Sequence, residues 1–160
     1  MRNCLILIFY LNLFMPLIAY AKPIVIDGDS LEIDNRRIRL DGIDAPEFNQ
    51  ICDTFDGKTY ECGKKAMQFA IDFIAENQIE CKCLPYKDKY KRDLCECFVN
   101  GKSLNQALVA AGWALTYRDT TYQTAQNNAQ NNKLGIWQGR FMRPALYRVL
   151  EKYTKNEKTE

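Results

Sequence analysis

The sequence predicts an α+β domain built on a small antiparallel sheet or barrel. Three observations carry this: β-rich runs broken by turns between positions 24 and 40, a second strand pair at 79–84 and 94–99, and amphipathic helical periodicity between and after them. The chain has 160 residues, 47% hydrophobic and 26% charged, which suits one globular domain and excludes a wholly disordered chain.

Each element has a local reason. From Ile24 to Leu40 the runs IVI, SLEI and IRL alternate with DGD and DNRR, so two or three antiparallel strands meet, with Asp34-Asn35 as turn material. Across 62–77, Ala66, Phe69, Ala70, Phe73 and Ile74 recur at helical spacing. The strands at 79–84 and 94–99 are joined by a lysine-rich connection, a hairpin with a long loop. Ser103 caps a second helix with Leu104, Ala107, Leu108 and Ala111 on one face, and Gly112 ends it. A third helix covers 121–133, polar outside with Ala125 and Ala129 inward. Trp137, Phe141 and Leu146 tuck the chain end onto the core, and the charged tail 151–160 is frayed.

Residues 1–21 carry a cation, an apolar stretch broken by Asn12 and Pro16, and the small-x-small site Ala19-Tyr20-Ala21, the pattern of a secretory signal peptide. About 15 apolar residues fall short of the roughly 20 that span a bilayer. The mature domain is then 22–150, exported to the periplasm or medium, with no stable membrane association and as a monomer. Loss of Arg2 lowers 22 cations to 21 against 20 anions, so no global field draws the chain to a polyanion, and such a partner needs a local cluster. Loss of Cys4 leaves six cysteines, an even set that reads as disulfides in an exported chain.

The chain contains no histidine. That excludes Ser–His and Cys–His nucleophilic catalysis, imidazole acid–base chemistry and His-ligated zinc, haem or copper. Hydrolysis would run on carboxylates, cations, thiols or a metal held by oxygen. Positions 27–47, DGDSLEIDNRRIRLDGIDAPE, concentrate Asp27, Asp29, Asp41, Asp44 and Glu47 with Arg36, Arg37 and Arg39. Carboxylates in tight turns offer hard oxygen ligands suited to calcium or magnesium, though the spacing is not that of an EF-hand. Arginine supplies forked donors for the charge that develops on a phosphodiester, and a second forked donor, Arg92, follows Lys87, Lys89 and Lys91. Taken singly, Arg39 also reads as a salt-bridged strand residue and 87–92 as a solvated basic loop.

The segments IDGDS (26–30), IRLDGIDAPE (38–47), DKYKRDL (88–94), NQALVAAGWAL (105–115) and KLGIW (133–137) together resemble the staphylococcal (micrococcal) nuclease or thermonuclease family over about 24 to 148. The resemblance implies a five-stranded OB-type β-barrel packed with three α-helices. It implies calcium as cofactor, with Asp29 and Asp44 as carboxylate ligands and Ala45 binding through its backbone carbonyl. It implies Glu47 acting on the attacking water, Arg39 and Arg92 clamping the phosphate, Asp27 behind the metal ligands, and Lys89 and Tyr90 touching nucleotide. The implied activity cleaves DNA and RNA with little sequence preference and leaves 3′-phosphate ends. Lys91 stands where the family has glycine, a strained choice if that turn requires φ > 0. Gln126 replaces a family glutamate, a structural change, and Tyr117 matches a substrate tyrosine only across a one-residue gap and is not assigned.

If the hairpin is in register, Cys81 opposes Cys97 and Cys83 opposes Cys95, with Cys52–Cys62 as the remaining pair and 81–97 also suggested by exported relatives. Six cysteines allow fifteen connectivities, and a CxC…CxC zinc site is the rival reading. The rival functions are a non-catalytic single-stranded nucleic-acid-binding module and a disulfide-stapled protein-binding domain.

Overall fold

The computed structural model describes residues 22–157, so the leader expected at 1–21 and the last three tail residues lie outside the described residues. β1 (Ile24–Asp27), β2 (Ser30–Ile33) and β3 (Arg36–Leu40) form an antiparallel meander. Asp34 and Asn35 both take positive φ, 51° and 61°, which a two-residue hairpin turn of primed type requires and these residue types tolerate. β4 (Ile43–Asp44), β5 (Cys52–Thr54) and β6 (Thr59–Tyr60) precede α1 (Cys62–Ile74). β7 (Ile79–Lys87) and β8 (Asp93–Val99) form the long hairpin, and β9 (Lys102–Ser103) leads into α2 (Leu104–Ala110). β10 (Leu115–Thr116) and α3 (Gln123–Asn131) follow, then a 3₁₀ turn at Gly135–Gln138, β11 (Gly139–Arg140) and α4 (Pro144–Asn156).

The main sheet runs β1-β2-β3-β8-β7, with β9 added beside β8. β3 and β8 are parallel, pairing Arg39 with Leu94, and this one junction brings the Arg39 strand beside the strand that begins just after Arg92. β4 pairs with β10, and β11, β5 and β6 make a third small sheet.

Two points of the expected five-strand, three-helix barrel are corrected. The main sheet has six strands, five in one path and β9 beside β8, with two satellite sheets, and a fourth helix is present. Pro144 sits in the first turn of α4, where its fixed φ favours helix and its missing N–H costs nothing. Residues Lys152 to Asn156, expected to fray, continue that helix, where Glu151 and Lys155 pair one turn apart at 3.0 Å. Leu146 does not tuck onto the core; it is 52% exposed. Trp137 and Phe141 do pack inward, edge to face at 5.2 Å.

Leu31, Ile38, Leu40 and Ile43 are buried against Ala70 and Ile74 of α1 and Leu104, Leu108 and Val109 of α2. Each such side chain contributes roughly 1.5–3 kcal/mol on burial. Small residues at Ala66 and Ala70 let α1 lie close to the sheet. Ser103 Oγ accepts the N–H of Gln106 at 3.2 Å, and Gly112 has φ +76° just past the end of α2. Asn105, fully buried, accepts the N–H of Cys97 and donates to the carbonyls of Asp41 and Cys95, locking α2 to β8. Gln126 accepts the N–H of Thr116 at 2.8 Å, so a neutral amide suffices to tie α3 to β10.

Three disulfides join Cys52 to Cys62, Cys81 to Cys97 and Cys83 to Cys95. The last two are directly opposed positions of the β7–β8 ladder, with Cα–Cα separations of 4.1 and 4.0 Å. All four hairpin sulfurs are thereby used in bonds, which removes the zinc reading.

Candidate active site

The turn between β1 and β2 is built for close approach. The N–H of Asp29 donates to Asp27 Oδ1 at 3.0 Å, folding the DGD turn on itself. A Cβ on Gly28 would lie 2.7 Å from the Ala45 methyl and 2.9 Å from that of Ala66, so only glycine lets this turn sit between α1 and the Asp44-Ala45 segment. Gly63 does the same for the next loop: a Cβ there would lie 1.8 Å from the Glu47 carbonyl oxygen. These two glycines set the positions of Asp29 and Glu47. The sequence reading missed them, since the approach they permit is between distant segments.

Arg39 is the centre of the site. Its Nη1 lies 2.6 Å from Asp29 Oδ2 and its Nη2 3.2 Å from Asp44 Oδ1. It also donates to the carbonyls of Leu40 and Ile43 at 3.2 and 2.9 Å. Its side chain is 11% exposed, against 8% for Asp29 and 4% for Asp44. Ala45 is buried beside them, its N–H donating to Asp29 Oδ2 at 2.7 Å.

Arg92 enters from the β7–β8 loop. Lys91 takes φ +63°, so the left-handed turn forms with lysine in the glycine position. Asp88 organises the loop, accepting the N–H groups of Tyr90 and Arg92 and the Arg92 Nε, each at 2.8–2.9 Å. Burial raises the Asp88 carboxyl, but these donors outweigh it and hold it below the usual range. Arg92 Nη1 reaches Ser30 Oγ at 3.4 Å, and its guanidinium lies 5.4 Å from the Tyr90 ring centroid.

A cavity of about 540 Å³ opens over these groups, lined among others by Asp29, Arg39, Glu47, Lys89, Tyr90 and Arg92. Asp27 also lines it, while Asp44 and Ala45 lie behind the wall. Of the positions singled out from the sequence, Asp27, Asp29, Arg39, Asp41, Glu47, Lys87, Lys89, Tyr90 and Arg92 line this one concavity, whereas Arg36, Arg37 and Lys91 do not. Tyr117, left unassigned, lines it as well, with Arg118 and Arg148.

Arg148 is the residue the sequence did not disclose. From α4 it places Nη1 2.6 Å from Glu47 Oε1 and Nη2 2.9 Å from Asp44 Oδ1. It lies in no motif, and nothing in its neighbourhood links it to residues a hundred positions earlier. Burial lowers its affinity for the proton, but Glu47 and Asp44 more than reverse that.

Four carboxylates, from Asp27, Asp29, Asp44 and Glu47, crowd this end of the cavity. Burial, reinforced by Asp29 and Glu47, pushes Asp27 up to about 7. Burial also raises Asp44 despite its two arginine partners, with Asp29 adding to the effect. Such a cluster favours a further cation. Among the described residues no three acidic, cysteine or histidine side chains converge into a ready-made cage. Asp29 and Asp44 carry hard carboxylate oxygens of the kind that calcium or magnesium takes, and in this structure both pair with Arg39.

The model of the family described as staphylococcal nuclease homologue matches residues 37–139. The chain belongs to this family. Its topology is accordingly an OB-type variant, and the family's members are typically metal-dependent. Among curated relatives, the succinoglycan biosynthesis protein ExoI of Rhizobium meliloti is 38% identical over 76% of this chain and 65% of its own length. An uncharacterized endonuclease of Haemophilus influenzae is 28% identical over 69% of this chain and 61% of its own. A probable endonuclease of Colletotrichum graminicola is 26% identical over 77% of this chain and half of its own. The chain thus spans about half to two thirds of these relatives. No helix among the described residues is long and apolar enough to cross a membrane.

Proposed function

We propose that the protein is an exported, calcium-dependent nuclease that hydrolyses phosphodiester bonds of DNA and RNA with little sequence preference, leaving 3′-phosphate ends. The observation carrying this is the meeting of Arg39, Arg92, Asp29 and Glu47, from three separate segments, on one cavity. The endonuclease names of two relatives support it, and the three disulfides support an oxidising destination after removal of residues 1–21.

Asp29, Asp44 and the Ala45 carbonyl would hold calcium, which when bound neutralises a phosphate oxygen and polarises water. Arg39 and Arg92 donate forked hydrogen bonds to the phosphate oxygens as charge develops in the transition state. Glu47, 30% exposed at the cavity edge, orients the attacking water and accepts its proton. Lys89 and Tyr90, stacked with the ammonium 5.1 Å from the ring centroid, offer a base-stacking platform beside a cation. No group in this scheme is an imidazole, in keeping with the absence of histidine.

The test is nicking of plasmid DNA by the purified protein with calcium. The expected result is cleavage, lost with EDTA and in Glu47→Gln. A second reading, a binding module without catalysis, draws on the engagement of Glu47 by Arg148 and of Arg92 by Asp88. It wins if DNA and RNA stay intact while a single-stranded oligonucleotide is retarded on a gel.

A further inference from the structure

α4 is a 13-residue helix of which only Pro144 is buried. Leu146, Val149, Leu150 and Tyr153 form an apolar stripe that is 43–66% exposed. A helix of this length is marginal in water without packing, so its tertiary ties decide whether it forms. Those ties include the Tyr147 hydroxyl donating to the Asn49 carbonyl at 3.3 Å and the two ion pairs of Arg148. The guanidinium of Arg148 therefore does two things at once. It anchors α4, and it supplies a cation to Asp44 and Glu47, where the metal reading needs one.

We infer that Arg148 is the resident counter-cation of the metal site, exchanged for the divalent ion as that ion binds. This rests on the calcium reading of the same site. Arg148 pairs with both Asp44 and Glu47 and so offsets their repulsion with Asp29 and Asp27. Asp44 Oδ1 accepts from both Arg39 and Arg148, leaving little lone-pair density for a third positive centre at that oxygen. A dication entering beside Asp29 and Asp44 repels the guanidinium and competes for the same lone pairs. Arg148 withdraws, Glu47 is freed toward the cavity, and α4 loses its charged anchor. The helix is thus a strap that is closed without metal and loosened with it, drawn from the weakly held part of the fold.

Isothermal titration of calcium chloride into the purified protein, beside hydrogen exchange across 144–156, tests this. Arg148 is partly exposed, so Arg148→Met should fold, and Arg148→Lys keeps a charge that cannot bridge both carboxylates. Arg148→Met is expected to bind calcium about 5- to 100-fold more tightly than wild type, with Arg148→Lys between them. Calcium should speed exchange in α4 of the wild type and leave it unchanged in Arg148→Met. Equal or weaker calcium affinity in Arg148→Met, or slower α4 exchange with calcium in wild type, overturns the exchange of cations while leaving the nuclease reading intact. Absence of calcium binding in both proteins overturns both.

Discussion

Arg39 and Asp29 meet at 2.6 Å with both side chains about nine-tenths buried. A buried pair of this kind adds little net stability, yet breaking it is costly, because the remaining charge has no solvent. Arg39→Met should lower stability by about 3–5 kcal/mol in urea unfolding. Arg92 is more exposed, and its contact outside its own loop is a long 3.4 Å bond to Ser30 Oγ, so Arg92→Met should shift the urea midpoint far less than Arg39→Met. Under the proposed chemistry both variants lose on the order of 10²–10³-fold in kcat. A stability loss at Arg92 equal to that at Arg39 would contradict the different burial.

The close approach at Gly63 gives a sharper prediction. In Gly63→Ala the new methyl collides with the Glu47 carbonyl, so the loop must shift to admit it. The cost should be about 1–3 kcal/mol by thermal or urea unfolding, with a fall in kcat larger than that of any neighbouring surface variant. Unchanged activity would show that the Glu47 loop tolerates displacement.

Asp27 ties stability to pH. Its folded-state value is raised to about 7, so the native state holds a proton that the unfolded chain releases near 3.8. The associated penalty is absent below pH 4, grows as pH rises, and is complete above about 7. Asp27→Asn should therefore gain a few kcal/mol over wild type at pH 8 without calcium, and nothing at pH 4. Denaturant melts at the two pH values in EDTA check the sign.

Lys91 holds φ +63° in the turn that delivers Arg92. Lys91→Gly should relieve strain of roughly 1 kcal/mol, partly offset by glycine's larger unfolded-state entropy, and leave kcat within about twofold. A large drop in activity would mean that the lysine itself serves the substrate.

The two hairpin disulfides are nested, closing loops with sequence separations of 12 and 16. With either intact, the other closes only a small additional ring. Replacing either pair by serine should cost about 2 kcal/mol, and replacing both about 5, more than the two single losses added. Urea unfolding of the three variants decides it.

What could be read from the chain follows from how local the cause is. The Asp34-Asn35 turn, the Ser103 cap and the opposed cysteines depend on neighbours or on a simple register, and each was legible. The meeting of Arg39 with Arg92 was suggested by family motifs, whereas its physical basis is the parallel β3–β8 pairing, which no periodicity announces. α4 was hidden because its charges suggested a frayed tail, although its apolar residues keep helical spacing. Arg148 was hidden for a stronger reason. Its partners, Asp44 and Glu47, are about a hundred residues away, and the ion pairs exist only once the chain has folded.

The paired rungs of the β7–β8 hairpin also bear on what survives heat. While both bonds remain oxidised, the strands cannot slide past one another, so even a melted chain keeps the loop carrying Arg92 confined between fixed ends. On cooling, that part of the search for the native state is already restricted. A protein made this way is suited to losing its shape and regaining it, and reduction, more than temperature, is the treatment that erases its starting point.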